Sequence, residues 1–213
     1  MEILNSYQRT KVDESDDLIF YSSPKFVYHL DSNFRKYLTN LYKKEFLNNS
    51  VILDLMSSWD SYLPKELNYK KVIGHGLNKQ ELERNKSLDY FWIQNFNINQ
   101  ELPLGDKSIN YCLMVAAWQY LQFPEKLALE ISRVLSNKGK LLISFSNRAF
   151  WTKSPNIWTY SSEEGRIEYV KRILISNGFN EPKIVRKFTS KSHSLLPFIK
   201  SDPFYCVMAE RKE

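Results

Sequence analysis

Apolar and polar positions along this chain alternate between two periods, one extended and one helical. Val51-Ile52-Leu53-Asp54-Leu55 is an apolar run around a single acid and passes into Met56-Ser57-Ser58-Trp59-Asp60. Such a run suits a strand covered on both faces and ending in a tight loop. Lys71–Gly76, Tyr90–Gln94, Ile109–Val115 and Lys140–Ser146 read as four further strands. Between them the period lengthens. Asp31 caps a helix expected to run to Asn49, with Phe34, Leu38, Leu41, Tyr42 and Phe46 on one face. Leu77–Asn85 suits a short helix, and Pro124 opens another that reaches Leu135 before Asn137-Lys138-Gly139 stops it. Ser162-Glu163-Glu164 begins a helix closed by Asn177-Gly178. Two late strands, 183–188 and 204–209, flank a polar loop with Pro197 and Pro203. Strands alternating with helices predict an α/β class: a doubly wound, mostly parallel sheet of seven strands with one antiparallel edge strand and helices on both faces.

Composition narrows the class further. At 213 residues with 43% hydrophobic and 15% aromatic side chains, the chain can bury a core and is not of the disordered type. No apolar run reaches the roughly 18–20 residues needed to span a bilayer. Met1-Glu2-Ile3-Leu4-Asn5 lacks the basic-then-apolar order of a secretory signal. Cys112 and Cys206 both sit in strand-like runs, which speaks against a disulfide framework, so a cytoplasmic location is expected. The net charge of +6 permits contact with polyanions, but its lysines and arginines are scattered, so a nucleic-acid face is not favoured. Residues 1–17 are polar and read as a mobile arm or a cap; the expected division is 1–49, arm and capping helices, and 50–213, the sheet domain.

Ligands of open α/β sheets lie beyond the carboxyl ends of the strands, so the residues following each strand carry the candidate chemistry. Glycines usually line the first loop of a nucleotide-binding sheet, and here Met56, Ser58 and Asp60 stand instead. The second turn, Gly74-His75-Gly76-Leu77-Asn78, offers glycines and an amide, with His75 read as a surface or capping histidine. Asn95-Phe96 follows the third strand, and Ala116-Ala117-Trp118-Gln119-Tyr120 the fourth. His29 with Asp31, beside Tyr21 and Tyr28, is the best group for moving a proton. Arg148, after Asn147, suits an anionic substrate group through its forked guanidinium. No metal-ligand spacing, phosphate-loop lysine or nucleophile elbow is present.

Two blocks resemble the class I S-adenosylmethionine-dependent methyltransferases. Leu102-Pro103-Leu104-Gly105-Asp106-Lys107-Ser108-Ile109-Asn110-Tyr111-Cys112-Leu113 is similar to the family's LPF-x-D-x-SFD-x-V approach to strand four. Glu130-Ile131-Ser132-Arg133-Val134-Leu135-Ser136-Asn137-Lys138-Gly139-Lys140-Leu141 is similar to its E-x-x-RVLKPGG-x-L turn into strand five. Their order and spacing resemble a type 11-like domain over roughly residues 50–210, in a divergent subgroup with a Ser-Ser-Trp first loop. The resemblance implies a Rossmann-like fold, S-adenosylmethionine as cofactor and a small or medium-sized acceptor. The alternative it leaves is an inactive domain of the same fold used for cofactor sensing or protein interaction. By position it implies that Asp54 orients the first loop near the methionine amino group, and that Ser57 and Ser58 meet the methionine carboxylate. Gly74 and Gly76 fall in the ribose turn, where an acid is expected, with Asn78 as the nearest polar group. Asn95 and Phe96 fall at the adenine; Ala116 and Trp118 at the methyl-donor pocket; Tyr21, Gln119, Asn147 and Arg148 on the substrate side. Each of these positions also has an ordinary reading as a cap, a turn or core packing.

Overall fold

A computed structural model describes residues 2–188 and 201–213. The loop position Pro197 lies outside the described residues. Seven strands form one sheet: β1 (Ser50–Leu55), β2 (Tyr69–Gly76), β3 (Tyr90–Ile93), β4 (Ile109–Val115), β5 (Leu135–Phe145), β6 (Lys183–Lys187) and β7 (Phe204–Glu210). Their order is β3-β2-β1-β4-β5-β7-β6. The first five are mutually parallel, and β7 runs antiparallel between β5 and the edge strand β6. The switch in order falls between β1 and β4, neighbours in the middle of the sheet, where a ligand crevice belongs.

Alternation along the strands sorts the core into two layers. Leu53 and Leu55 of β1 and Cys112 and Met114 of β4 join Leu127, Ile131, Val170 and Ile173 on one side. Those last four residues come from α5 (Pro124–Val134) and α7 (Glu163–Ser176). Ile52, Leu113 and Cys206 face the other way and meet Phe34, Leu38 and Tyr42 of α3 (Ser32–Glu45). Asp54 has the parity of Ile52, so the sheet presents its carboxyl group on the α3 side. The Asp31 carboxylate accepts from the Phe34 amide and starts α3, as the sequence suggests. The helix ends four residues short of Asn49, at Glu45, because Phe46 leaves it extended and buries its ring on Tyr42 and Tyr111. The expected stop at 137–139 is also displaced. Leu135 is already extended and pairs with Ile109, so Asn137-Lys138-Gly139 lies within an irregular stretch of β5.

The N-terminal residues form a cap. α1 (Ser6–Arg9) and α2 (Asp17–Phe20) lie across the carboxyl edge of the sheet, and Leu4 is buried in the core. Glu125, in the first turn of α5, holds this segment: one oxygen accepts from the amides of Ile3 and Leu4, both at 2.9 Å, and the Arg9 guanidinium forks onto both oxygens. Lys153 is buried and reaches the Ser15 carbonyl at 2.8 Å and Asp13 at 3.1 Å, while Lys11 pairs with Asp17 at 2.8 Å. Buried ions tolerate the interior only when paired in this way. Replacing Glu125 by Ala strands two amides and takes from Arg9 its carboxylate partner, leaving it the carbonyls of Leu4 and Gln122. The expected cost is about 2–4 kcal/mol in urea denaturation, with new proteolytic cleavage within residues 1–20.

Candidate functional site

The loops after β1, β2, β4 and β5, together with the segment from Tyr21 to Leu30, enclose a cavity of about 710 Å³. Its floor is the exit of β1. Asp54 is 3% exposed and accepts from the Ser57 hydroxyl at 2.6 Å. Burial pushes its carboxyl up to about 6, against the hydrogen bonds from Ser57 and Ser61 that favour the charged form. The first loop then folds back over β2. The Ser57 amide donates to the His75 carbonyl at 2.7 Å, and the Met56 amide donates to His75 Nδ1 at 3.1 Å. This crossing needs Gly76: a Cβ there would stand 2.7 Å from the Ser57 carbonyl oxygen. Met56, Tyr62 and Ala116, all lining the cavity, hold positive φ values of 53°, 55° and 50°. Non-glycine residues adopt this region only where their surroundings enforce it, most often at functional sites.

Glu81 is the polar residue here that sequence reasoning missed. It is buried in the first turn of α4 (Lys79–Arg84), and its oxygens accept from the Ser58 hydroxyl and the Lys25 amide, both at 2.6 Å. The spacing Asn78-x-x-Glu81 is that of a helix-capping pair and was the available signal. Asn78 does cap α4, accepting from the Glu81 amide at 3.1 Å, but Glu81 is drawn into the wall instead of back to the cap. The Asn78 amide group donates to the carbonyls of Tyr21 and Ser22.

Of the residues singled out by sequence, the cavity brings together Tyr21, His29, Asp54, Ser57, Ser58, Asn78, Ala116, Gln119, Asn147 and Arg148. The others stand outside its lining. Gly74 is inside β2, paired with Phe91, and Gly76 lies beneath the first loop. Trp118 is core. Asn95 and Phe96 line a separate hollow of about 20 Å³ beside β3. Tyr21, Met56, Leu77 and Tyr120 line both spaces and so partition them. The hollow is filled from two sides. His75, expected at a surface or cap, is buried and stacks on Phe96 with ring centres 3.8 Å apart. Burial lowers its imidazole to about 3. From above, Asn95 donates to Asp16 at 3.1 Å and Asn97 to Asp17 at 2.8 Å, which fastens the N-terminal cap.

His29 and Asp31 do not form a pair. The Asp31 carboxylate is engaged by the Phe34 amide, the Ser201 hydroxyl and the Asp202 amide. His29 lies edge-on to Phe150, and desolvation lowers its imidazole below the ordinary histidine value. Arg148 pairs with buried Asp202 at 2.5 Å. Gln119 is 1% exposed: its amide nitrogen donates to the Arg148 carbonyl, and among the described residues its oxygen has no hydrogen-bond partner. A buried acceptor left without a donor at a cavity wall is costly unless a ligand supplies one.

Asp54 carries a pH signature with a definite sign. Its folded value of about 6 exceeds the ordinary 3.8, so the folded protein holds this proton more tightly than the unfolded chain. Stability therefore falls as pH rises from about 4 to 6 and stays penalised above that window. Asp54→Asn should gain up to about 3 kcal/mol over the parent at pH 7.5 and nothing below pH 4, by urea denaturation at both values.

Comparison with known proteins gives the site its context. Residues 60–143 match the sequence profile of the family described as a methyltransferase domain. A search of curated proteins finds no match. Among solved structures, the chain resembles one from the Haloferax volcanii complex of the Trm112 methyltransferase activator with a proposed methyltransferase. That likeness has 12% identity and a TM-score of 0.60, covering 85% of this chain and 91% of the other. A Thermotoga maritima S-adenosylmethionine-dependent methyltransferase, described as a possible histamine N-methyltransferase, shares 19% identity at TM-score 0.58, with coverages of 85% and 90%. An Aquifex aeolicus S-adenosylmethionine-dependent methyltransferase shares 16% identity at TM-score 0.58, with coverages of 92% and 97%. At these identities the likeness speaks for the fold. Residues 60–143 therefore resemble a methyltransferase domain, and the chain shares the fold of these S-adenosylmethionine-dependent methyltransferases.

Proposed function

We propose that the chain is an S-adenosylmethionine-dependent methyltransferase whose acceptor is a small or medium-sized molecule taken into the cavity. The observation that carries this reading is Asp54: a buried carboxylate, kept against its desolvation cost, at the central strand exit beside about 710 Å³ of space. Such a costly group at a switch point marks a functional site more often than a structural one. The volume falls in the range of cofactor and ligand sites. The unpartnered Gln119 oxygen and the left-handed backbones of Met56 and Ala116 fit an enclosed ligand as well.

When bound, S-adenosylmethionine supplies an electrophilic methyl carbon on sulfur. Asp54, Ser57 and Ser58 hold its amino-acid end, and Ala116 with Ala117 leaves room above β4. Tyr21, Leu77 and Asn78 receive the adenosine on the cavity side of the partition. Gly76 lets the first loop sit low, while Gly74, Asn95, Phe96 and Trp118 shape the wall from behind. Asn147 and Arg148 face the acceptor. Aromatic walls exclude water, and His29, neutral at physiological pH, takes the acceptor's proton. Asp31 positions His29 only through the start of α3.

A second reading is a cofactor-sensing or interaction domain without turnover. It is favoured by the amides of Asn78 and Asn95 being engaged by the N-terminal cap. Calorimetry with S-adenosylhomocysteine, followed by label transfer from methyl-labelled cofactor, separates the two. Saturable binding is expected, weakened about tenfold or more by Asp54→Asn; absence of any binding overturns the methyltransferase reading and cofactor sensing alike. Binding without transfer to any acceptor favours the second. Under the first, His29→Ala should slow transfer roughly 10²–10⁴-fold with cofactor affinity intact. Activity of the parent should persist below the ordinary histidine pKa, because His29 protonates at lower pH.

A further inference from the structure

The proposed function leaves the acceptor open, but the cavity has a chemical bias. The chain carries a net charge of +6, yet among the described residues the cavity lining holds three carboxylates, Asp54, Asp60 and Glu81, against two cations, Lys25 and Arg148. Both cations are already engaged. Lys25 Nζ lies over the Phe20 and Tyr21 rings, 5.0 and 5.3 Å from their centres, and donates to the Phe20 carbonyl. Arg148 is neutralised by Asp202. The hydroxyl donors of Ser57, Ser58 and Tyr28 are directed at Asp54, Glu81 and Asp60. Beside the remaining hydroxyl donors of Tyr21, Tyr62 and Tyr120, the walls offer a ligand the carboxylates and the buried Gln119 oxygen as acceptors.

Asp60 stands apart from the two acids that bracket the first loop. Its oxygens accept from the Tyr62 amide at 2.9 Å and the Tyr28 hydroxyl at 3.2 Å. Around it are Trp59, 4.4 Å from Tyr28 between ring centres, and Tyr62, 6.2 Å from Tyr28. The Arg35 guanidinium, outside the cavity lining, already rests 3.7 Å from the Tyr28 ring centre. This aromatic cluster with a carboxylate is electron-rich. Tyr62 is held there at a φ of 55°, a conformation an aromatic residue adopts only under constraint. Ring faces beside a carboxylate attract organic cations through quadrupole and charge together.

We propose that the acceptor is an amine bearing an aromatic or apolar group, methylated on nitrogen, with Tyr28, Trp59, Asp60 and Tyr62 as its recognition wall. This deepens the methyltransferase reading and rests on it. The amine binds as an ammonium ion and gives one proton to His29, which passes it to solvent, before reaction. Its nitrogen lone pair then forms the N–CH3 bond as the methyl–sulfur bond breaks, and the sulfonium becomes a neutral thioether. The product leaves as the methylated ammonium ion.

The test uses the full-length protein saturated with S-adenosylhomocysteine and a matched set of probes: phenethylamine and tryptamine, the neutral 2-phenylethanol, and the anionic 3-phenylpropionate. The expected order of affinity by calorimetry is amine above alcohol above carboxylate, with about tenfold or more between the first and last. Methyl-labelled cofactor should label the amines and leave the alcohol and acid unlabelled. Asp60→Asn should abolish the charge preference while leaving S-adenosylhomocysteine affinity within about twofold. Equal or inverted affinities across the probes, or no amine binding at all, overturn the proposal, and the series on the unmodified protein decides even if Asp60→Asn does not fold. Failure to bind S-adenosylhomocysteine marks instead the failure of the methyltransferase reading.

Discussion

The close crossing of the first loop over Gly76 sets the geometry of everything around it. Because Gly76 has no side chain, the backbone from Met56 to Ser57 can lie on the end of β2 and bond to His75 twice. That contact draws the loop towards β2 and β3. Space is left on the α3 side of β1 and β4, where Asp54 already points. A bulkier residue at position 76 would force the loop to shift, since its Cβ would stand 2.7 Å from the Ser57 carbonyl oxygen.

The filled side is where the N-terminal cap takes hold. Its fastening is ionic and amide in character. Lys11, Lys153 and Asp17 form a buried charge cluster, and Asn78, Asn95 and Asn97 each donate into the segment from Asp16 to Ser22. Hydrogen bonds to charged groups in a low-dielectric setting are stronger than their exposed counterparts. The cap is therefore part of the cavity wall, contributing Tyr21 and the backbone around Lys25.

Much of the fold was legible in the sequence because its signals were local. Apolar runs of strand length, Asp31 and Ser162 as caps and the Asn177-Gly178 stop all act within a few residues, and each element appears within a few positions of its expected place. The site was legible only in part. Ten of the expected residues line one cavity because topology brings the carboxyl ends of parallel strands together. What the sequence concealed were pairings across long separations. Nothing near Asn95 announces Asp16, 79 positions away, and nothing near Glu81 announces the Lys25 amide, 56 positions away. The polarity of Glu81 was visible; its placement in the wall was not. His75 shows the same limit, since a turn histidine becomes a core residue only once Phe96 is brought against it.

The amide clamp on the cap also constrains how this protein can change over evolution. Asn95 gives a hydrogen to Asp16 across 3.1 Å, and Asn97 gives one to Asp17 across 2.8 Å. An acid at either position would replace a donor by a second carboxylate at contact distance, and the two would repel. An acid after β3 and an acidic cap thus oppose each other in this architecture. Descendants of such a sequence would exchange the two features together, through an intermediate that had first lost its grip on the N-terminus.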